Sequence, residues 1–185
     1  MALDTQLLYF LNSAVGQSPL IDSVIVFFAS YLSYILIALF IAVLIFSHYH
    51  QTIDKLEILL TIGLSSIIAR FGITELIRAL YHRPRPFVML DVNQLLTETS
   101  WSFPSGHATF FFAMATAIYL YNKKWGIFFF AATVLMTVSR VVSGIHYPFD
   151  IIGGAVIGIA VAYLTFSVAR RIVEGRSKKI TISTY

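Results

Sequence analysis

Three short stretches of this chain hold the residue types that handle phosphate. They are Arg78 with Arg85-Pro86, then Pro104-Ser105-Gly106-His107, then Ser139-Arg140 followed by His146 and Asp150. A guanidinium is planar, always charged and able to fork onto two oxygens. Arg78, Arg85 and Arg140 can therefore cradle a phosphoryl group and stabilise the charge that spreads over its equatorial oxygens during transfer. Proline at a first helical position wastes no N–H and brings a preset φ, so Phe103-Pro104 reads as a helix entrance. Ser105, Gly106 and His107 should then present backbone N–H groups at the positive end of that helix, an anion site that Gly106 leaves open to close approach.

His146 stands just ahead of a second proline-started helix at Pro148, and Asp150 falls in that helix's first turn, where the dipole favours a carboxylate. Across that entrance Asp150 can accept a hydrogen bond from one imidazole nitrogen, which leaves the other as an oriented lone pair. This is the logic of a catalytic triad with the histidine itself attacking. His107 is left as the proton donor to the departing oxygen.

The elements that position these residues belong to a membrane protein. Of 185 residues, 58% are hydrophobic, and the mean hydropathy is +0.80. That is more apolar surface than one soluble core of this length can hide. The absence of cysteine excludes disulfides, thiolate catalysis and cysteine-ligated metals. The net charge of +4 is spread over loop clusters and helix ends, which fits a membrane topology and an anionic substrate, with no nucleic acid as partner. Asp4 and the lack of a basic run ahead of an apolar core speak against a cleavable signal peptide. With no linker or low-complexity tract, residues 1–185 are expected to form a single membrane-embedded domain.

Hydropathy predicts an all-α polytopic membrane helical bundle with about five transmembrane helices plus N-terminal interfacial helices, or a sixth span. Leu3 to Val15 and Ser18 to Ser30 read as the interfacial pieces, the alternative being one long tilted span from Leu20 to Phe46. The spans are Tyr31 to Phe46, Leu56 to Leu80, Pro104 to Tyr121, Ile127 to Val142 and Pro148 to Val168. The loop Ser47 to Gln51, the short turn Asn122 to Gly126 and a basic tail from Arg170 complete the chain. Arg70, Glu75 and Arg78 lie within the second span. A charge at the bilayer centre costs about 2.5 to 3.5 kcal/mol, so these side chains should face the bundle interior. Glu75 and Arg78 are spaced to pair. Arg70, about 12 Å deeper than Arg78 at 1.5 Å per residue, has no assigned role.

Alternation puts the loops holding Arg83, Arg85 and His146 on one side. Lys55, Lys123, Lys124, Arg170, Arg171, Arg176, Lys178 and Lys179 fall on the other, which the positive-inside rule makes cytoplasmic together with the C-terminus. The site then faces outward. Gly154 and Gly158 favour close packing inside the bundle over a dimer face, with a homodimer left open. His48, His50 and His82 read as loop or interfacial histidines, and no carboxylate pair is placed to hold Mg²⁺.

In order and on one face, the three stretches resemble the three-part signature of the type-2 phosphatidic acid phosphatase family, membrane lipid phosphatases that share a site with vanadium haloperoxidases. The resemblance covers residues 78–150. One departure is Arg78, where the family usually has lysine, which turns a point contact to phosphate into a forked one. The resemblance implies a hydrolase with no metal and no cofactor. It assigns His146 as the residue that forms a phosphohistidine, Asp150 as its orienting acid and His107 as the proton donor. It assigns phosphoryl binding to Arg78, Arg85, Ser105, Gly106 and Arg140.

Within the family, the short length, the HRPRPF segment and the outward-facing site are most similar to bacterial undecaprenyl-diphosphate phosphatases, which recycle the carrier lipid of cell-wall synthesis at the inner membrane. Those often carry Asp where Gly106 stands. The expected partners are a lipid phosphate or diphosphate and the bilayer. The alternatives are a phosphatase for phosphatidylglycerol phosphate, phosphatidic acid or another lipid phosphate, and, more remotely, a transporter or scaffold.

Overall fold

Helix starts in this chain are set by polar caps and prolines that the sequence spells out. The computed structural model describes residues 3–46 and 52–182, with side chains for 3–46 and 55–172. The Ser47 to Gln51 loop with His48 and His50, and the side chains of Arg176, Lys178 and Lys179, lie outside the described residues. After α1 (Leu3–Asn12), the Ser18 hydroxyl accepts the Ile21 N–H and Pro19 opens α2 (Pro19–Val26). α2 runs through a π-helical segment, Phe27–Tyr31, into α3 (Leu32–Phe46). The result is one apolar rod, Pro19–Phe46, of 28 residues. The expected interfacial helix ending at Ser30 does not exist as a separate piece, because no proline or glycine near that point breaks the helix. The long span is what forms.

The next rod is built the same way: α4 (Thr52–Ile67), a π segment (Ile68–Ile73) and α5 (Thr74–Leu80). Lys55 donates to the carbonyl of Ile45 at 2.9 Å, closing the last turn of α3. A loop with one helical turn, α6 (Pro86–Met89), leads to α7 (Gly106–Tyr121), α8 (Lys123–Val142) and α9 (Pro148–Ile182).

Two expected boundaries move. α7 begins at Gly106 with Ser105 as its cap, the hydroxyl accepting the Ala108 N–H at 3.4 Å, so Pro104 precedes the helix instead of opening it. The turn after α7 is the single residue Asn122, whose side chain accepts the Trp125 N–H at 3.2 Å and so starts α8 at once. Gly126 makes this tight reversal feasible, since any Cβ there would overlap the backbone of Tyr119.

α7 sits at the centre, packed by α4, α8 and α9. Its small residues Ala108, Ala113, Ala115 and Ala117 are fully buried. On α9, Gly154 and Gly158 meet the backbone of Thr109 and Ala113 so closely that a Cβ on either would collide. They serve packing inside the bundle, as the sequence predicts. The outward faces carry exposed Leu20, Phe46, Leu80, Val156 and Leu164. So much apolar surface is stable only against lipid. Among the described residues four helical rods are long and apolar enough to cross a membrane, and α7 is a shorter helix, about 24 Å at 1.5 Å per residue, enclosed among them. The protein is a multi-pass membrane protein.

α1 docks on the end of the bundle that carries loops 81–105 and 143–147. Leu8 is buried against Val141 and Tyr147. Asn12 donates to the carbonyls of Asn93 and Val142 and accepts the Asn93 N–H, all at 2.8 Å. One face of this helix is therefore held by protein, while Leu3, Leu7 and Phe10 point outward.

Candidate active site

The N-termini of α7 and α9 lie side by side, tied by the Ser105 N–H donating to the carbonyl of Asp150 at 3.0 Å. Asp150 is fully buried, and its carboxylate is held from both sides. Oδ2 accepts from the Ser102 hydroxyl at 2.5 Å, the Tyr147 N–H at 2.9 Å and His146 Nδ1 at 3.3 Å. Oδ1 accepts from Arg83 Nη1 at 2.7 Å. On the far side of the ring, His146 Nε2 lies 3.3 Å from Arg85 Nη1. A guanidinium can only donate, so Nε2 must carry the lone pair and Nδ1 the proton that faces Asp150. Burial pushes the His146 imidazole down to about 4, with Arg140 and Arg85 adding to the effect and Asp150 opposing it. The ring is neutral at working pH.

Arg85 faces Nε2, and Arg78 and Arg140 are linked to Arg85 through Ser100 and Glu98. Arg85 donates to the carbonyls of Ser100 at 2.7 Å and Ile145 at 2.8 Å. Arg78 donates to the carbonyl of Pro104 at 3.0 Å, and the Ser100 hydroxyl accepts from both Arg78 (3.3 Å) and Arg85 (3.1 Å). Arg140 donates to the Ala29 carbonyl in the first π segment at 3.0 Å and to Glu98 at 2.5 Å. Burial pulls Arg85 down to about 10, which leaves it charged. Burial alone would raise the Glu98 carboxyl, but Arg140, with Arg85 at 4.0 Å, holds it below the usual carboxylate range. Arg78 Nε and Arg140 Nε are buried without a hydrogen-bond partner. A buried donor left unpaired costs about 1 to 3 kcal/mol, which an anion placed among these arginines would offset.

Each residue singled out from the sequence is at this end of the bundle. His146, Asp150, Arg85, Arg78 and Ser105 are joined by direct or one-residue contacts, and Arg140 joins through Glu98. His107 lies in the first turn of α7, within electrostatic reach of Arg140, His146 and Arg85, and lines a cavity with Gly106. One expected donor is already used, since the Ser105 N–H is bound to Asp150. Among the described residues the N–H groups of Gly106 and His107 have no acceptor.

Five further residues complete the arrangement without a sequence signal of their own. Ser100 and Ser102 sit in a loop with no motif. Glu98 looks like an ordinary surface carboxylate. Arg83 belongs to a second Arg-Pro pair in the wrong register for the signature, yet it bridges Asp150 to Asp4 at 2.6 Å. Asp4 in turn accepts the Phe149 N–H at 2.9 Å, one of the unpaired donors at the start of α9. Only Arg83 had an indirect cue, as an arginine on the side that the positive-inside rule leaves poor in basic residues.

A lipid-embedded bundle that gathers guanidinium groups around a neutral, acid-oriented imidazole defines a membrane lipid phosphatase. The PAP2 superfamily model matches residues 54–174, and the chain belongs to that superfamily. It is 31% identical over 153 residues to the undecaprenyl-diphosphatase BcrC of Bacillus subtilis (strain 168), covering 81% of this chain and 76% of that one. It is 27% identical over 165 residues to the bacitracin transport permease protein BcrC of Bacillus licheniformis, covering 88% and 79%. Among solved structures, LpxE of Aquifex aeolicus superposes with a TM-score of 0.70 at 29% identity, covering 90% of this chain and 96% of that one.

Proposed function

We propose that this phosphatase acts on a polyprenyl diphosphate of the undecaprenyl class and releases inorganic phosphate through a phosphohistidine at His146. The observation that carries the reading is the setting of the His146 ring, with Nε2 3.3 Å from Arg85 Nη1 and Nδ1 3.3 Å from Asp150 Oδ2, which turns the lone pair toward the arginine. Nε2 attacks the terminal phosphorus, the bond from phosphorus to the bridging oxygen breaks, and the electron pair stays on that oxygen, with His107 supplying a proton. Water then attacks the phosphohistidine and gives a proton back to His107, and inorganic phosphate leaves. Arg78, Arg85, Arg140, Ser105 and the Gly106 backbone hold the phosphoryl oxygens through both steps. The similarity to an undecaprenyl-diphosphatase over most of the chain supports the diphosphate as substrate.

The whole of residues 1–185 serves this one activity, with the site on the extracytoplasmic face of the cell (inner) membrane and the C-terminus in the cytoplasm. Lys123 and Lys124 at the opposite end of the bundle support that orientation.

The test is phosphate release by purified protein from a panel of polyprenyl diphosphate, phosphatidylglycerol phosphate and phosphatidic acid. Preference for the diphosphate is expected, and preference for phosphatidylglycerol phosphate moves the protein to another lipid. For the orientation, single cysteines introduced at Gln94 and Lys124 of this cysteine-free chain are labelled in intact cells with an impermeant maleimide. Labelling at Gln94 alone is expected, and labelling at Lys124 alone reverses the topology.

A further inference from the structure

Arg70 is an arginine beside the site that takes no part in the phosphoryl cradle. It lies on the second π segment (Ile68–Ile73), which changes where it points. In a continuous α-helix, residues five apart diverge by about 140° at 3.6 residues per turn, but a π turn brings them to one face. Arg70 accordingly pairs with Glu75, which also holds Arg78 at 3.3 Å. The Arg70 guanidinium lies over Gly106, where a Cβ would overlap its Cδ, Nε and Cζ. Arg70 and Gly106 line a cavity of about 210 Å³ together with His107, Tyr34, Phe110 and Phe111. Tyr34 is exposed on the lipid-facing flank, so the cavity opens toward the bilayer.

We propose that Arg70 forms a second anion subsite, which binds the lipid-side phosphate of a diphosphate substrate and so selects diphosphates over monophosphates. The proposal rests on the reading above in which His107 faces the departing oxygen. Whatever departs then stands against this cavity. A phosphomonoester loses an alcohol, which offers Arg70 no charge. A diphosphate loses a lipid monophosphate, whose remaining oxygens are bonded to the same phosphorus as the departing oxygen and carry one to two negative charges.

Among the described residues lining the cavity, Arg70 is the cation that can receive them. As the bond from the terminal phosphorus to the bridging oxygen breaks, its electron pair goes to the departing phosphate, and Arg70 stabilises that charge with two parallel N–H donors. Glu75 is shared with Arg78, so substrate oxygens can take its place on Arg70 while the carboxylate keeps a partner. Phe110, Phe111 and Tyr34 give the first carbons of the chain an apolar wall.

The experiment measures kcat and KM of wild type, Arg70→Gln and Arg70→Lys on farnesyl diphosphate and farnesyl monophosphate, which share a chain and differ by one phosphate. Loss of a charge-assisted contact should lower kcat/KM of Arg70→Gln about 10- to 100-fold on the diphosphate and less than about 3-fold on the monophosphate, with partial recovery in Arg70→Lys. An equal loss on both substrates overturns the subsite while leaving the phosphatase intact. A wild-type measurement stands even where Arg70→Gln fails to fold. Methylenediphosphonate should inhibit more tightly than inorganic phosphate, and equal inhibition overturns the subsite. Wild-type protein that releases phosphate from neither substrate overturns the proposed function and the subsite together.

Discussion

At the scale of the residue, burial governs His146 more than its acidic partner does. An imidazolium there would lose its hydration and face Arg140 and Arg85, so the folded ring takes a proton only near pH 4, while an unfolded histidine takes one near about 6.5. As pH falls from 6.5 toward 4 the unfolded chain binds a proton that the folded chain refuses. This residue therefore subtracts from stability across that window and leaves it unchanged above. Ring NMR of the resting enzyme should show His146 neutral from pH 8 to 5, and a midpoint near 6.5 would contradict the burial account. His107 is expected to matter in proportion to how badly the leaving group needs a proton. His107→Ala should lose far more rate on a lipid monophosphate than on an activated aryl phosphate, and equal losses would remove its role as acid. Arg83 is the counter-charge for the buried Asp150 and for Asp4. Arg83→Ala strands those carboxylates and should cost about 3 to 5 kcal/mol, read as a large drop in Tm, whereas an unchanged Tm would mean that Ser102 and the backbone suffice.

Among the elements, the loop 81–105 contributes most that the sequence hides. It brings Glu98 to Arg140 and Arg85, so a carboxylate already stands where the arginines converge. Phosphate must compete with it. Glu98→Gln should therefore tighten inhibition by inorganic phosphate or vanadate several-fold, and weaker inhibition would show that Glu98 aligns the arginines instead. The capped and proline-led helix starts were legible because Ser18-Pro19 and the Pro148 entrance are local signals. The start of α7 was legible only in part, since a serine cap displaced Pro104 from the first turn. The π segments were not legible at all, because nothing in FFASY or IARFGI marks where an α turn widens to a π turn. That change of period is what hid the pairing of Arg70 with Glu75. Arg83 and Asp4 were missed because their partners lie far along the chain, where spacing carries no information.

The whole molecule joins an apolar exterior to a strongly polar site at one end. Helices α4, α8 and α9 clamp α7, so the N-termini of α7 and α9 cannot move apart without breaking the packing of Gly154 and Gly158 against α7. Rigidity of this kind keeps the imidazole, its acid and the arginines in register, and preorganised charge is the largest source of rate at such sites. Composition and five-fold alternation revealed the bundle and the shared side of the motif loops, since both follow from the hydrophobic thickness of a bilayer.

In the proposed mechanism His146 itself receives the phosphoryl group. Brief incubation with polyprenyl diphosphate radiolabelled at its terminal phosphorus, an alkaline quench and peptide mapping test it directly. The label should appear on the peptide containing His146 and vanish in His146→Ala, which should keep its Tm and lose turnover. Normal turnover by His146→Ala, or label recovered on another residue, would contradict it.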